Sequence, residues 1–147
     1  MSNIEIKKLN EYAQEPTHGS EDAAGYDLHA AFGPKLAIVI EPHETKMVGT
    51  GLAFKIPKGT FLGIYPRSGL AVKQGLRLAN CTGIIDADYR GEVKVAIHND
   101  SNQTRLVENG ERIAQAILQE YTPMNFTFVE ELEETERGEG GFGSTGV

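Results

Sequence analysis

An all-β fold is predicted by three observations: apolar residues recur mostly at period two, they come in short pieces, and Gly, Pro and Asn separate the pieces. Ile4 and Ile6 alternate with Glu5 and Lys7 in a first strand. Leu36 to Ile40 is a β-branched run closed by Pro42, and Lys46 to Ile56 carries Val48, Leu52, Phe54 and Ile56 up to Pro57. Thr60 to Tyr65 supplies a further short strand. Glu92 to Asn99 puts Val93, Val95 and Ile97 on one face, and Ile113 to Tyr121 and Asn125 to Glu130 complete the set. Only Ser68 to Gln74 reads as a helix, with Ser68 as its N-cap and Gly75 as its stop.

The chain has 147 residues, enough for one domain with a real core. Its composition changes at Glu130, first to an acidic run (Glu130, Glu131, Glu133, Glu134, Glu136) and then to a glycine-rich stretch from Arg137 to Gly146. Residues 1–130 therefore read as a β core domain and 131–147 as a flexible C-terminal arm. A net charge of −7 excludes a protein that grips a nucleic-acid backbone over many phosphates, but a small phosphorylated ligand needs only a few cations. Cys81 is the only cysteine, so neither an intrachain disulfide nor a cysteine-based zinc site is expected. No signal peptide and no apolar run long enough for a bilayer is seen, so the expectation is a soluble cytoplasmic protein.

Five segments carry candidate chemistry. Ala23-Ala24-Gly25-Tyr26-Asp27-Leu28 sets a lone acid after a tight glycine. Pro66-Arg67-Ser68-Gly69-Leu70-Ala71 turns a strand into the short helix, where a guanidinium, a hydroxyl and free N–H groups can meet an anion. Gly83 to Glu92 holds the pair Asp86 and Asp88, a setting in which a carboxylate can deprotonate a water. Gly110 to Gln115 opens an apolar strand with a glutamine. The tail, Arg137 to Gly146, embeds an arginine, Phe142, Ser144 and Thr145 among glycines, residues able to cover a phosphate and a flat ring. Alone, each has a commonplace reading: a solvated loop acid, a capped helix start, a glutamine serving backbone, a loose terminus.

Together and in this order the five segments resemble the five motifs of the trimeric dUTPase family, from Ala23 to Gly146. The resemblance implies a jelly-roll-like β-barrel or sandwich subunit in a homotrimer with shared active sites. It implies hydrolysis of dUTP to dUMP and pyrophosphate by in-line water attack on the α-phosphorus, limiting uracil incorporation into DNA and supplying dUMP for thymidylate synthesis. By the same resemblance Asp86 activates the water, Gln115 fixes the α-phosphate or that water, and Asp27 lies near the water shell of Mg²⁺, which is carried by the substrate phosphates without direct protein ligands. Arg67, Ser68 and Gly69 would hold phosphates, while Asn80, Gly83 and Ile85 would read the uracil edge. Tyr89 would pack against the deoxyribose. Arg137, Gly143, Ser144 and Thr145 would close over the γ-phosphate, with Phe142 on the uracil. No nucleic acid or membrane partner is implied, and nothing in the residues supports a regulatory protein partner, although some proteins of this fold have one. A dCTP deaminase of the related fold is the alternative enzyme, a noncatalytic regulatory binding protein the alternative class, and a sugar-binding jelly roll a third reading.

Overall fold

The computed structural model describes residues 2–34, 37–144 and 146. Leu36, in an expected strand, and Thr145, in the expected arm, lie outside the described residues. Twelve strands and one helix are found among them: β1 (Glu5–Lys8), β2 (Thr17–His18), β3 (Tyr26–His29), β4 (Ala37–Ile40), β5 (Thr45–Gly49), β6 (Leu52–Lys55), β7 (Thr60–Tyr65), α1 (Ser68–Gln74), β8 (Leu76–Leu78), β9 (Gly83–Asp86), β10 (Lys94–Asn99), β11 (Arg105–Glu108) and β12 (Arg112–Glu120). They pair antiparallel as β1-β6, β5-β10-β8, β11-β4 and the five-stranded β2-β3-β12-β7-β9.

The alternation seen in the sequence builds the core. Val93, Val95 and Ile97 are buried together as expected, and they join Leu28, Ile40, Val48, Leu52, Leu76, Val107 and Ile113 in one cluster. Their outward neighbours stay wetter: Lys94 is exposed, and Ala96 and His98 are half-buried. Each fully buried Leu or Ile contributes about 1.5–3 kcal/mol by leaving water, so this row of side chains dominates the folding energy.

Three expectations are corrected. Lys46 to Ile56 is not one stretch, because Gly51 takes a left-handed conformation (φ +64°) that extended backbone cannot accommodate. The chain there leaves the β10 sheet for the β1 sheet, and the Thr50 hydroxyl donates to the Val93 carbonyl at 2.7 Å to hold the corner. The N-cap of α1 is Arg67, with extended backbone and no side-chain cap bond, and Ser68 is the first helical residue. Gly75 does end the helix, in the left-handed conformation, its N–H meeting the Leu70 and Ala71 carbonyls. Asn125 to Glu130 forms no strand. Phe126 is 81% and Phe128 106% exposed, so the alternation there has no partner among the described residues. No helix among the described residues is long and apolar enough to cross a membrane.

Candidate active site

The five-stranded sheet has one face on the core and one facing out. On β3, Leu28 points inward and Asp27 and His29 outward. Asp27 faces Gln115 on β12, which faces Tyr65 on β7. Regular alternation would set Arg112 and Gln115, three residues apart, on opposite faces. A register shift between Arg112 and Ala114 removes that conflict: Ile113 and Ala114 are both buried, and Arg112 and Gln115 both reach the outer side.

The shift assembles a cluster of charges. Asp27 is nine-tenths buried, and its two carboxylate oxygens are shared between two guanidiniums. Arg67 Nε donates to Oδ1 at 2.8 Å and Arg112 Nη1 to Oδ2 at 3.2 Å. Gln115 Nε2 donates to the Pro66 carbonyl at 2.9 Å, which fixes the strand-to-helix turn that presents Arg67 and Ser68. These residues line a cavity of about 210 Å³ with Gly19, Ala23, Gly25 and Gly69. One carboxylate against two guanidiniums leaves the cavity a net cation, the electrostatic condition for holding phosphate oxygens.

Gly25 is needed for close approach. A Cβ there would stand 2.5 Å from Gln115 Oε1 and 3.3 Å from its Cβ and Cδ. Gly25→Ala is expected to push the Gln115 amide off the Pro66 carbonyl, with kcat/KM falling about tenfold for the loss of this part-buried hydrogen bond that fixes the turn. The melting temperature should change little, since a flexible side-chain end yields; steady-state kinetics and calorimetry on the same sample check both.

Asp86 stands elsewhere. It ends β9 at the far edge of the sheet, opposite Phe61, which in turn faces Gln119. From Asp27 it lies three strands across and four residues along, so strand spacing and rise put the two roughly 20 Å apart. Asp86 lines a separate cavity of about 440 Å³ with Lys58, Gly59, Thr60, Ala87, Asp88 and Tyr121, and the two cavities share no lining residue. With two acids and a single lysine in its lining, the larger cavity is net anionic, the opposite of the smaller one.

The segment around Asp86 is tightly organised. The Tyr89 N–H donates to the Asp86 carbonyl at 3.1 Å and its hydroxyl to the Glu92 carbonyl at 2.9 Å, while Arg90 Nη1 donates to the carbonyls of Ala87 and Tyr89. Tyr89 is thereby pinned, though 43% exposed. Asn80 and Cys81 turn the chain from β8 into β9, with Cys81 at φ +60° and the Thr82 N–H on the Asn80 carbonyl at 2.6 Å. Gly83 packs against Ile64 and lies near the Asn80 amide, and Ile85 is half-buried. Asn80, Gly83, Ile85, Asp86 and Tyr89 thus form one neighbourhood, and Asp27, Arg67, Ser68, Gly69 and Gln115 another.

The arm residues join neither. Arg137, Phe142, Gly143 and Ser144 line neither cavity, and Arg137 Nε donates to the Gly140 carbonyl of its own turn at 2.8 Å. The sequence marks Arg112, with Arg67, Arg90 and Arg137, as an arginine placed in a motif where it could serve a small phosphorylated ligand, but its meeting with Asp27 depends on the β12 bulge. His29 was missed, although period two from Asp27 through the buried Leu28 pointed to it.

A family model described as dUTPase matches residues 11–146. A deoxyuridine 5'-triphosphate nucleotidohydrolase of Nautilia profundicola is 48% identical over 143 residues, covering 97% of this chain and 98% of that protein. Among solved structures, a mutant dUTPase of Staphylococcus bacteriophage 80alpha with dUpNHpp superposes with a TM-score of 0.89 at 30% identity, covering all of both chains. A mutant dUTPase from phage phi11 of S. aureus, whose structure concerns the coordination of a structural Mg(II) ion, gives 0.80 at 25% identity over 90% of this chain and 99% of that one. The strand-rich core with its one short helix is the jelly-roll β fold of these enzymes. From its eleventh residue to its last glycine, then, the chain belongs to the dUTPase family.

Proposed function

We propose that this chain hydrolyses dUTP to dUMP and pyrophosphate, in sites assembled from more than one copy of itself. The observation that carries the reading is the division of its site residues into a cationic cavity around Asp27, Arg67 and Arg112 and a separate neighbourhood around Asp86 and Tyr89. Chemistry on a phosphate requires the activating carboxylate within about 3 Å of the attacking water, which one chain does not provide across roughly 20 Å of sheet. In a closed threefold ring each copy can offer its Asp86 edge to the next copy's phosphate cavity. The exposed Phe126 and Phe128 also favour assembly, since a segment of alternating apolar residues left outside any sheet can pair with another chain.

In this reading Arg67, Ser68 and Gly69 hold the α- and β-phosphates, with Arg112 beside them. Gln115 orients the α-phosphate or the attacking water while its Nε2 stays on Pro66, and Asp86 takes the proton as water attacks the α-phosphorus in line with the departing pyrophosphate. Asn80 and the backbone of Gly83 and Ile85 pair with the uracil edge, where cytosine would leave buried polar groups facing the wrong partner. Arg137, Gly143, Ser144 and Thr145, in the arm of residues 131–147, close over the γ-phosphate, and Phe142 covers the uracil.

The donor set fits Mg²⁺ carried on the substrate. Among the described residues no three acids or histidines converge, and the one carboxylate at the phosphate cavity, Asp27, can reach the ion's water shell as its arginines turn to phosphate. When bound, the ion would neutralise developing phosphate charge. Limiting uracil in DNA and supplying dUMP follow from that activity, in a protein we read as soluble and cytoplasmic.

Incubating the protein and Mg²⁺ separately with dUTP, dCTP, dTTP and UTP, and measuring pyrophosphate and ammonia, tests the reading. Pyrophosphate is expected from dUTP far above the others, whereas ammonia from dCTP would favour the deaminase. Tyr89, which packs on the sugar in this reading, yields a further expectation: Tyr89→Ala lowers kcat/KM for dUTP and narrows its advantage over UTP. An unchanged dUTP to UTP ratio would remove Tyr89 from that role.

A further inference from the structure

Beside the phosphate cavity lies a side chain that no step above uses. His29 stands two residues along β3 from Asp27, on the same face, and directly opposite Arg112 in the β3–β12 register. It is only 8% exposed, and its Nδ1 is buried with no hydrogen-bond partner among the described residues. A buried polar atom left unpaired is rare enough to call for a function. Burial holds the imidazole below the ordinary histidine range, Asp27 pulling the other way and Arg112 and Arg67 adding to the fall. An imidazole in its neutral form offers one ring nitrogen as an acceptor.

The neighbours are short of acceptors. Two guanidiniums bring five N–H groups each, and the single Asp27 carboxylate is divided between them. A bound triphosphate draws the arginines forward, and whichever loses its carboxylate oxygen needs another acceptor behind it to stay in place. A second carboxylate there would cancel the charge that holds phosphate, and a cation would repel the arginines. A neutral imidazole does neither.

We propose that His29 is a positioning residue of the phosphate site, its Nδ1 accepting an N–H of Arg112 when the triphosphate draws that guanidinium off Asp27. This rests on the dUTP reading above.

The test compares three substitutions in the full-length chain. His29→Asn sets an amide oxygen near the place of Nδ1, His29→Gln sets it near Nε2, and His29→Phe keeps a ring without an acceptor. Readouts are KM and kcat for dUTP, the affinity for inorganic pyrophosphate, and the affinity for deoxyuridine, which carries no phosphate. For Phe and Gln, KM is expected to rise and pyrophosphate affinity to fall about tenfold, the size of one lost hydrogen bond to a charged group. Their kcat and deoxyuridine affinity should change less than about threefold, and Asn should stay near wild type. A Phe variant that binds pyrophosphate like wild type overturns the proposal, and so does an Asn variant as impaired as Gln. If Phe does not fold, the Asn and Gln pair decides. Absence of dUTP hydrolysis in the unmodified chain would instead overturn the functional reading, and the pyrophosphate comparison would still judge His29.

Discussion

Replacing Asp86 by Asn is expected to lower dUTP turnover by roughly two or more orders of magnitude, the usual loss when a general base is removed. The substitution keeps size and hydrogen bonding, and Asp86 is an exposed strand-end residue whose backbone carbonyl, which accepts from the Tyr89 N–H, is untouched. Fold and dUTP binding should therefore survive. Quenched-flow turnover together with calorimetric titration of a nonhydrolysable dUTP analogue checks both halves. Near-normal turnover in the folded variant would strike Asp86 from the mechanism.

An effect of similar size is expected at the other end of the sheet. Arg67→Gln keeps a side-chain donor for Asp27 but deletes the positive charge, leaving Arg112 alone against the phosphates. Loss of one preorganised donor aimed at developing charge costs about 10²–10³ in rate, so kcat/KM for dUTP should fall by at least that factor. Deoxyuridine affinity should be unchanged, since Arg67 belongs to the phosphate cavity and not to the Asp86 neighbourhood. A variant that loses less than tenfold would mean that Arg112 and the backbone suffice without it.

What could be read from the sequence was whatever local pattern alone determines. Period two found β7, β10 and β12 because each has its inward face in the core. It missed β3 as a strand, since Leu28 is the only apolar residue among its three buried positions, the other two being Asp27 and His29. β2 and β8 have two and three residues, too few for any period to register. Asp27, Arg67, Ser68, Gly69 and Gln115, drawn from three separate segments of the sequence, converge on one cavity. That Arg112 meets Asp27 depends on a bulge, and His29 faces Arg112 only across the strand register, so neither placement was legible in the sequence. The separation of Asp86 from Asp27 could not be read at all: it follows from which strands pair, and those pairings join residues far apart in the chain.

That separation is the central claim, and one measurement addresses it directly. Asp86→Asn and Arg67→Gln chains, each nearly inactive, are unfolded together and refolded so that copies mix. If each site takes Asp86 from one copy and Arg67 from another, random assembly leaves about a quarter of the sites with both residues intact. Activity should return to about a quarter of the wild-type value per site, and only after subunit exchange. If native mass spectrometry shows mixed assemblies and no activity returns, Asp86 and Arg67 serve a site within their own chain, and sharing between copies is contradicted.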